Sequence, residues 1–147
     1  MASAAPPAST RRFELTFPAT RAGFARGFDE LRRRLDGLSL EPRRRFAAEL
    51  VFEEVVANVL RHGARPGVES QVTLNVELEG DELRLTFVDD GAPFDPRGRT
   101  DPAPPRDLEH AETGGRGLML VRSVSSGIDY QRTEDGQNRL VVRVRGA

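Results

Sequence analysis

The chain contains no cysteine. This excludes a disulfide framework, a thiolate nucleophile and a cysteine-based metal site, and it suits a reducing cytosol. Lysine is missing too, since all 22 basic residues are arginine. The ammonium that grips phosphate oxygens in P-loop enzymes and ordinary protein kinases is therefore unavailable, and a nucleotide site here must be of another design. No apolar run approaches the roughly 20 residues needed to span a bilayer, so membrane insertion is not expected. Neither sign of charge dominates: 22 basic against 23 acidic residues leave a net charge of -1, which gives no reason to expect nucleic acid as the main partner.

What remains is ordinary globular material. At 147 residues, 37% hydrophobic and 31% charged, the chain suits a single domain with one core. Residues 1–10 are small and proline-rich, without the charged start and apolar stretch of a secretory signal. They are expected to form a disordered tail ahead of a domain covering 11–147.

Phe13, Leu15 and Phe17 alternate with polar residues, the period of a half-buried strand that Pro18 ends. From Thr20 to about Leu38, Phe24, Phe28, Leu31, Leu35 and Leu38 recur every three or four residues, as on an amphipathic helix. A second helix is expected from Pro42, at a first-turn position that suits proline, to a cap at Gly63. Alternation over Val72 to Leu78 and again over Leu83 to Phe87, around Glu79-Gly80-Asp81, predicts a hairpin whose second strand runs into Asp89. The stretch from Gly91 to about Thr113 holds five prolines and no apolar period, long for a simple connection and suited to a lid over about 92–117. A short helix marked by Leu118, Val121 and Val124 follows, then a hairpin through Asp135-Gly136. That order predicts an α+β two-layer sandwich: a mostly antiparallel, mixed sheet with the helices on one face.

Three polar constellations fall on these elements. Glu54, Asn58 and His62 are four residues apart, so they share one helix face amid flanking valines. A solvated face would explain them; so would a carboxamide that binds a hard cation beside a carboxylate that positions a nucleophile. Asp89-Asp90-Gly91 ends an apolar strand, either as a plain Asp-Gly turn or as an acceptor for an exocyclic amine with room beside it for a flat ring. Gly114-Gly115-Arg116-Gly117 precedes the expected helix beginning at Leu118. Helix N-termini of this kind offer free N–H groups to phosphates, and the glycines could also hinge the lid.

The order and spacing of these pieces resemble the histidine-kinase-like (Bergerat-fold) ATPases, and among them the anti-sigma-factor serine kinases of bacterial partner-switching systems. The most specific matches are Glu54-Val55-Val56-Ala57-Asn58 with His62-Gly63, and Asp89-Asp90-Gly91-Ala92-Pro93-Phe94-Asp95-Pro96. The resemblance implies that Asn58 binds Mg²⁺ and links it to ATP. It implies that Asp89 holds the adenine amino group, and that Gly91 leaves room for the purine. Gly115, Arg116 and Gly117, with Leu118, would line the phosphates. Glu54 would orient or activate the serine to be phosphorylated. His62 is either a pocket residue or a helix-terminal histidine satisfied by the dipole. Pro93 stands where the wider superfamily often has a further glycine, and no histidine precedes the domain to serve as phosphoacceptor, so histidine autophosphorylation is not expected.

The resemblance further implies a cytoplasmic homodimer, through the first strand and helix, that phosphorylates a STAS-fold anti-anti-sigma protein and sequesters a sigma factor or equivalent client. Two alternatives stand beside it. A non-catalytic module of the same fold would bind partners under ATP control without transferring phosphate. A free ATPase would need further domains to couple hydrolysis to motion.

Overall fold

A computed structural model describes residues 11–62, 69–95 and 115–146, with the backbone alone at 115–118. The expected lid, tail and Gly63 cap fall largely or wholly outside these residues. Eight elements follow in the predicted order: β1 (Arg11–Pro18), α1 (Arg21–Asp36), α2 (Pro42–His62), β2 (Gln71–Glu79), β3 (Glu82–Asp89), α3 (Gly115–Val124), β4 (Gly127–Arg132) and β5 (Asn138–Arg145). The strands form one sheet in the order β1-β2-β3-β5-β4. Every neighbouring pair is antiparallel, so the described sheet has no parallel component.

Alternation decides which face is buried. Phe13, Leu15 and Phe17 of β1 stand in register with Val76, Leu74 and Val72 of β2, and these with Leu85, Phe87 and Asp89 of β3. These residues share one face. Leu31 and Leu35 of α1, Val51, Phe52 and Val56 of α2, and Val121 of α3 join the strand side chains in one core cluster. Thus α1, α2 and α3 all cover the same side of the sheet. The other side carries a lattice of charges, including Arg84 between Glu77 and Glu82.

Phe52, fully buried, is the centre of this core. Its ring meets Phe17, Phe24, Phe28 and Phe87 at centroid separations of 5.5, 5.6, 5.5 and 6.5 Å, joining both long helices to two strands. Helix α1 can lie this close because two of its residues lack a Cβ. A Cβ on Gly23 would stand 1.8 Å from the Pro18 carbonyl oxygen, and one on Gly27 would stand 2.8 Å from the Phe17 ring. The start of α1 is fixed by Thr20, whose Oγ1 accepts from the Gly23 N–H at 2.9 Å.

Candidate functional site

Beyond the phenylalanine cluster, the two layers part. Val55, Asn58 and Val59 of α2, Val121 of α3, Phe87 and Asp89 of β3, and side chains of β4 and β5 line a cleft of about 580 Å³, counting its solvent-open mouth. Its walls are mainly aliphatic and aromatic, with Asn58, Asp89 and Asn138 as the polar groups.

Strand phase explains why Asp89 and not Asp90 enters. Asp89 continues the inward row of Leu83, Leu85 and Phe87, whereas Asp90 is exposed and its Oδ1 accepts from the Gln71 N–H at 3.2 Å. Asp89 is only 6% exposed. Its Oδ1 accepts from the Gly91 N–H at 2.9 Å and from Asn138 Nδ2 at 3.1 Å. Both bonds fall on one oxygen, so Oδ2 has no protein donor among the described residues. A buried carboxylate with one spare acceptor, set in an apolar cleft, suits a flat heterocycle carrying an amine. Burial raises the Asp89 pKa above the usual aspartate value, against the two hydrogen bonds and the charge of Arg132.

Sequence reasoning missed Asn138, which organises this end of the cleft. It pairs directly across from Asp89 in the β3–β5 register and is 5% exposed. Besides Asp89, its Nδ2 donates to the Ala92 carbonyl at 2.8 Å. Its Oδ1 accepts from the Tyr130 hydroxyl at 2.5 Å, Arg132 Nη1 at 3.2 Å and the Phe94 N–H at 3.3 Å. Arg132 Nη1 also donates to the Gly91 carbonyl at 2.9 Å. The turn from Asp89 to Phe94 is thereby fastened to β4 and β5 at several points. One Asn after an Asp-Gly turn carries no local sign of this role; only the cross-strand register reveals it.

On α2, Asn58 faces the cleft, and its carboxamide makes no hydrogen bond among the described residues. Glu54 lies one turn earlier and is not among the residues that line the cleft. It is half-buried without an ion pair among the described residues. Burial raises its pKa, Glu53 adds to the rise and Arg61 opposes it. His62 lies one turn beyond Asn58 and stacks on Phe94, with centroids 4.3 Å apart and planes 10° apart. It therefore backs a cleft wall instead of lining the cleft. Gly115, Arg116, Gly117 and Leu118 form the first turn of α3, so the glycines lie inside the helix and not in a loop ahead of it as expected. Gly114 is outside the described residues. No cluster of three acidic, histidine or cysteine side chains that could hold a metal ion is found among the described residues.

A cleft between one helical layer and an antiparallel sheet, with the acid at a strand end and the carboxamide on the facing helix, is the arrangement expected from the motifs. The profile of the histidine kinase-like ATPase domain family matches residues 17–144. The chain belongs to that family. Among relatives of this ATPase domain, the serine/threonine-protein kinase BtrW of Bordetella bronchiseptica is 33% identical over 105 residues, covering 71% of this chain and 73% of that protein. The fold also matches the crystal structure of the RsbU and RsbW domains of Rv1364c from Mycobacterium tuberculosis, with a TM-score of 0.65 at 17% identity over 92% of this chain. The present ATPase domain spans 32% of that longer polypeptide. The family and fold expected from Glu54, Asn58 and Asp89-Asp90-Gly91 are thus borne out.

Proposed function

We propose that this ATPase domain is a serine/threonine protein kinase that phosphorylates a STAS-fold antagonist and, once that antagonist is released, sequesters a sigma factor or equivalent client. One observation carries the catalytic part. Glu54 stands one helical turn before Asn58, which lines the cleft, without an ion pair among the described residues and with its pKa raised by burial. A carboxylate so placed is a better proton acceptor than an exposed glutamate.

In this reading Asp89 Oδ2 accepts from the adenine amine, and Gly91 leaves space for the ring. Asn58 provides the amide oxygen for Mg²⁺, which would otherwise be held by phosphates and water. The first-turn N–H groups of α3, from Gly115 to Leu118, face the phosphates with the positive end of the helix dipole, and Arg116 adds a guanidinium. His62 supports the site through Phe94. Bound Mg·ATP supplies the phosphoryl group, while Glu54 orients the incoming serine hydroxyl and takes its proton. The new phosphate, at about −2 charge near neutral pH, then drives the antagonist off an acidic or apolar surface. The reading includes a cytoplasmic homodimer.

The test is to incubate the purified chain with Mg·ATP and a STAS-fold protein and to weigh that protein by mass spectrometry. One added phosphate is expected. Glu54→Ala should abolish the gain while ATP affinity stays the same, and Asn58→Ala should lower both. A Glu54→Ala protein that transfers at the wild-type rate refutes the assigned role, and a wild type that binds ATP and the STAS protein but transfers nothing is the non-catalytic binder.

A further inference from the structure

The two helices that bound the nucleotide cleft also bound a second groove, at the N-terminal end of α2 and beside the C-terminal end of α3. Phe46 and Ala47 of α2, Ser123 and Val124 of α3, and Val144 of β5 line a space of about 850 Å³, counting its open mouth. Three large apolar side chains are well exposed among the described residues, and all lie on this helix pair: Phe46 at 63%, Met119 at 51% and Leu120 at 47%. Leu120 lies one turn before Ser123 and Val124, on the same helix face. On α2, Leu50 continues the Phe46 row by one turn, and Glu54 by a second. Phe46 and Glu54 are therefore about 12 Å apart along the axis.

The charge around the groove is one-sided. Arg43, Arg44 and Arg145 line it against a single acid, Glu41. Glu41 is already paired with Arg44. Arg145 reaches only Glu82, at 3.9 Å, with its side chain mostly in solvent. Arg43 is exposed and makes no ion pair among the described residues. It also stands in the first turn of α2, which holds no acid, where the dipole disfavours a cation. An exposed phenyl ring beside the unpaired Arg43 and the loosely paired Arg145 complements a protein surface that offers an apolar side chain flanked by carboxylates.

We infer that this groove is the docking surface for the phosphoacceptor protein, which seats an apolar side chain against Phe46 and acidic residues against Arg43 and Arg145. This rests on the kinase reading for the identity of the occupant. The short axial distance to Glu54 lets one small domain occupy the groove and present a hydroxyl beside Glu54.

The STAS-fold protein of the phosphorylation assay is the probe. Its Kd is measured by calorimetry against the full chain loaded with a non-hydrolysable ATP analogue, and its KM by phosphate incorporation. Phe46→Ser and Arg43→Glu alter exposed side chains, so both should fold. Each is expected to raise the Kd and KM for the protein at least tenfold while the Kd for the analogue stays the same. Arg139→Glu, on the opposite face of the sheet, should change none of these. Variants that bind the protein within twofold of wild type overturn the inference, as does a Phe46→Ser chain that changes only its own oligomeric state by light scattering. Weakened docking with no phosphate transfer by wild type retains the groove and removes the kinase; normal transfer with unchanged KM in both variants does the reverse.

Discussion

Phe87 and Asp89 are two residues apart on one strand and point to the same face, yet they belong to different worlds. Phe87 touches the Phe52 ring and backs the cleft wall onto a dry cluster of aromatic side chains. Asp89 sits in a polar knot of Asn138, Tyr130, Arg132 and the 89–94 turn, where a charge is held at a cost. The first region spends its residues on stability. The second accepts strain against burial so that an acceptor oxygen stands ready for a ligand, the pattern expected where function overrides local optimisation.

The sharpest break of this contrast is Phe52→Ala, which removes the ring shared by four others. A loss of about 3–5 kcal/mol is expected in urea unfolding, enough to unfold much of a marginal domain. Asn138→Ala tests the other region. It removes one of the two donors to Asp89 Oδ1 and the donor to the Ala92 carbonyl, so a loss of about 1–3 kcal/mol should accompany weaker ATP binding. Phe52→Ala should instead leave ATP affinity normal in whatever fraction stays folded.

Asp89→Asn separates the two currencies fully. The amide can still accept from Gly91 and Asn138, but it presents a donor where Oδ2 stood. ATP affinity should fall by about 2 kcal/mol, about thirtyfold in Kd, with no loss of melting temperature. The smallest effect is in pH. Because burial raises the Asp89 pKa, the folded chain holds its proton more tightly than the unfolded chain. Apo stability should therefore decline as pH climbs from the unfolded value, near about 3.9, through the raised folded value, and level off above it. Thermal melts of Asp89→Asn should lack that component. For Glu54, raised in the same direction, the acid limb of kcat should lie above the ordinary glutamate range, since the proton acceptor must be ionised.

The dry region was largely legible in the sequence. Periods of two and of three to four placed every described element in order, because burial on one face is a local signal repeated along each segment. The polar knot was half legible. Asn58 and Asp89 lie in recognisable local patterns, but Asn138 acts through a partner 49 positions away, and no window of sequence contains that pairing. Gly23 and Gly27 escaped for the same reason: glycine inside a helix reads as a weakness until Pro18 and Phe17 are seen against it. Helix α3 starts at Gly115, three residues earlier than expected, because glycine's poor propensity marked as loop what is in fact a first helical turn.

The β4–β5 connection, from Thr133 to Gln137, looks like the sort of surface turn in which a tag or an extra residue goes unnoticed. Its length sets which residues of β4 face Asn138, through the pairing of Arg132 with Asn138 and of Tyr130 with Leu140. One inserted residue that slipped this pairing would turn Tyr130 and Arg132 to the wrong side of the sheet. In an engineered version of this protein, that hairpin tip is a place to leave the residue count alone.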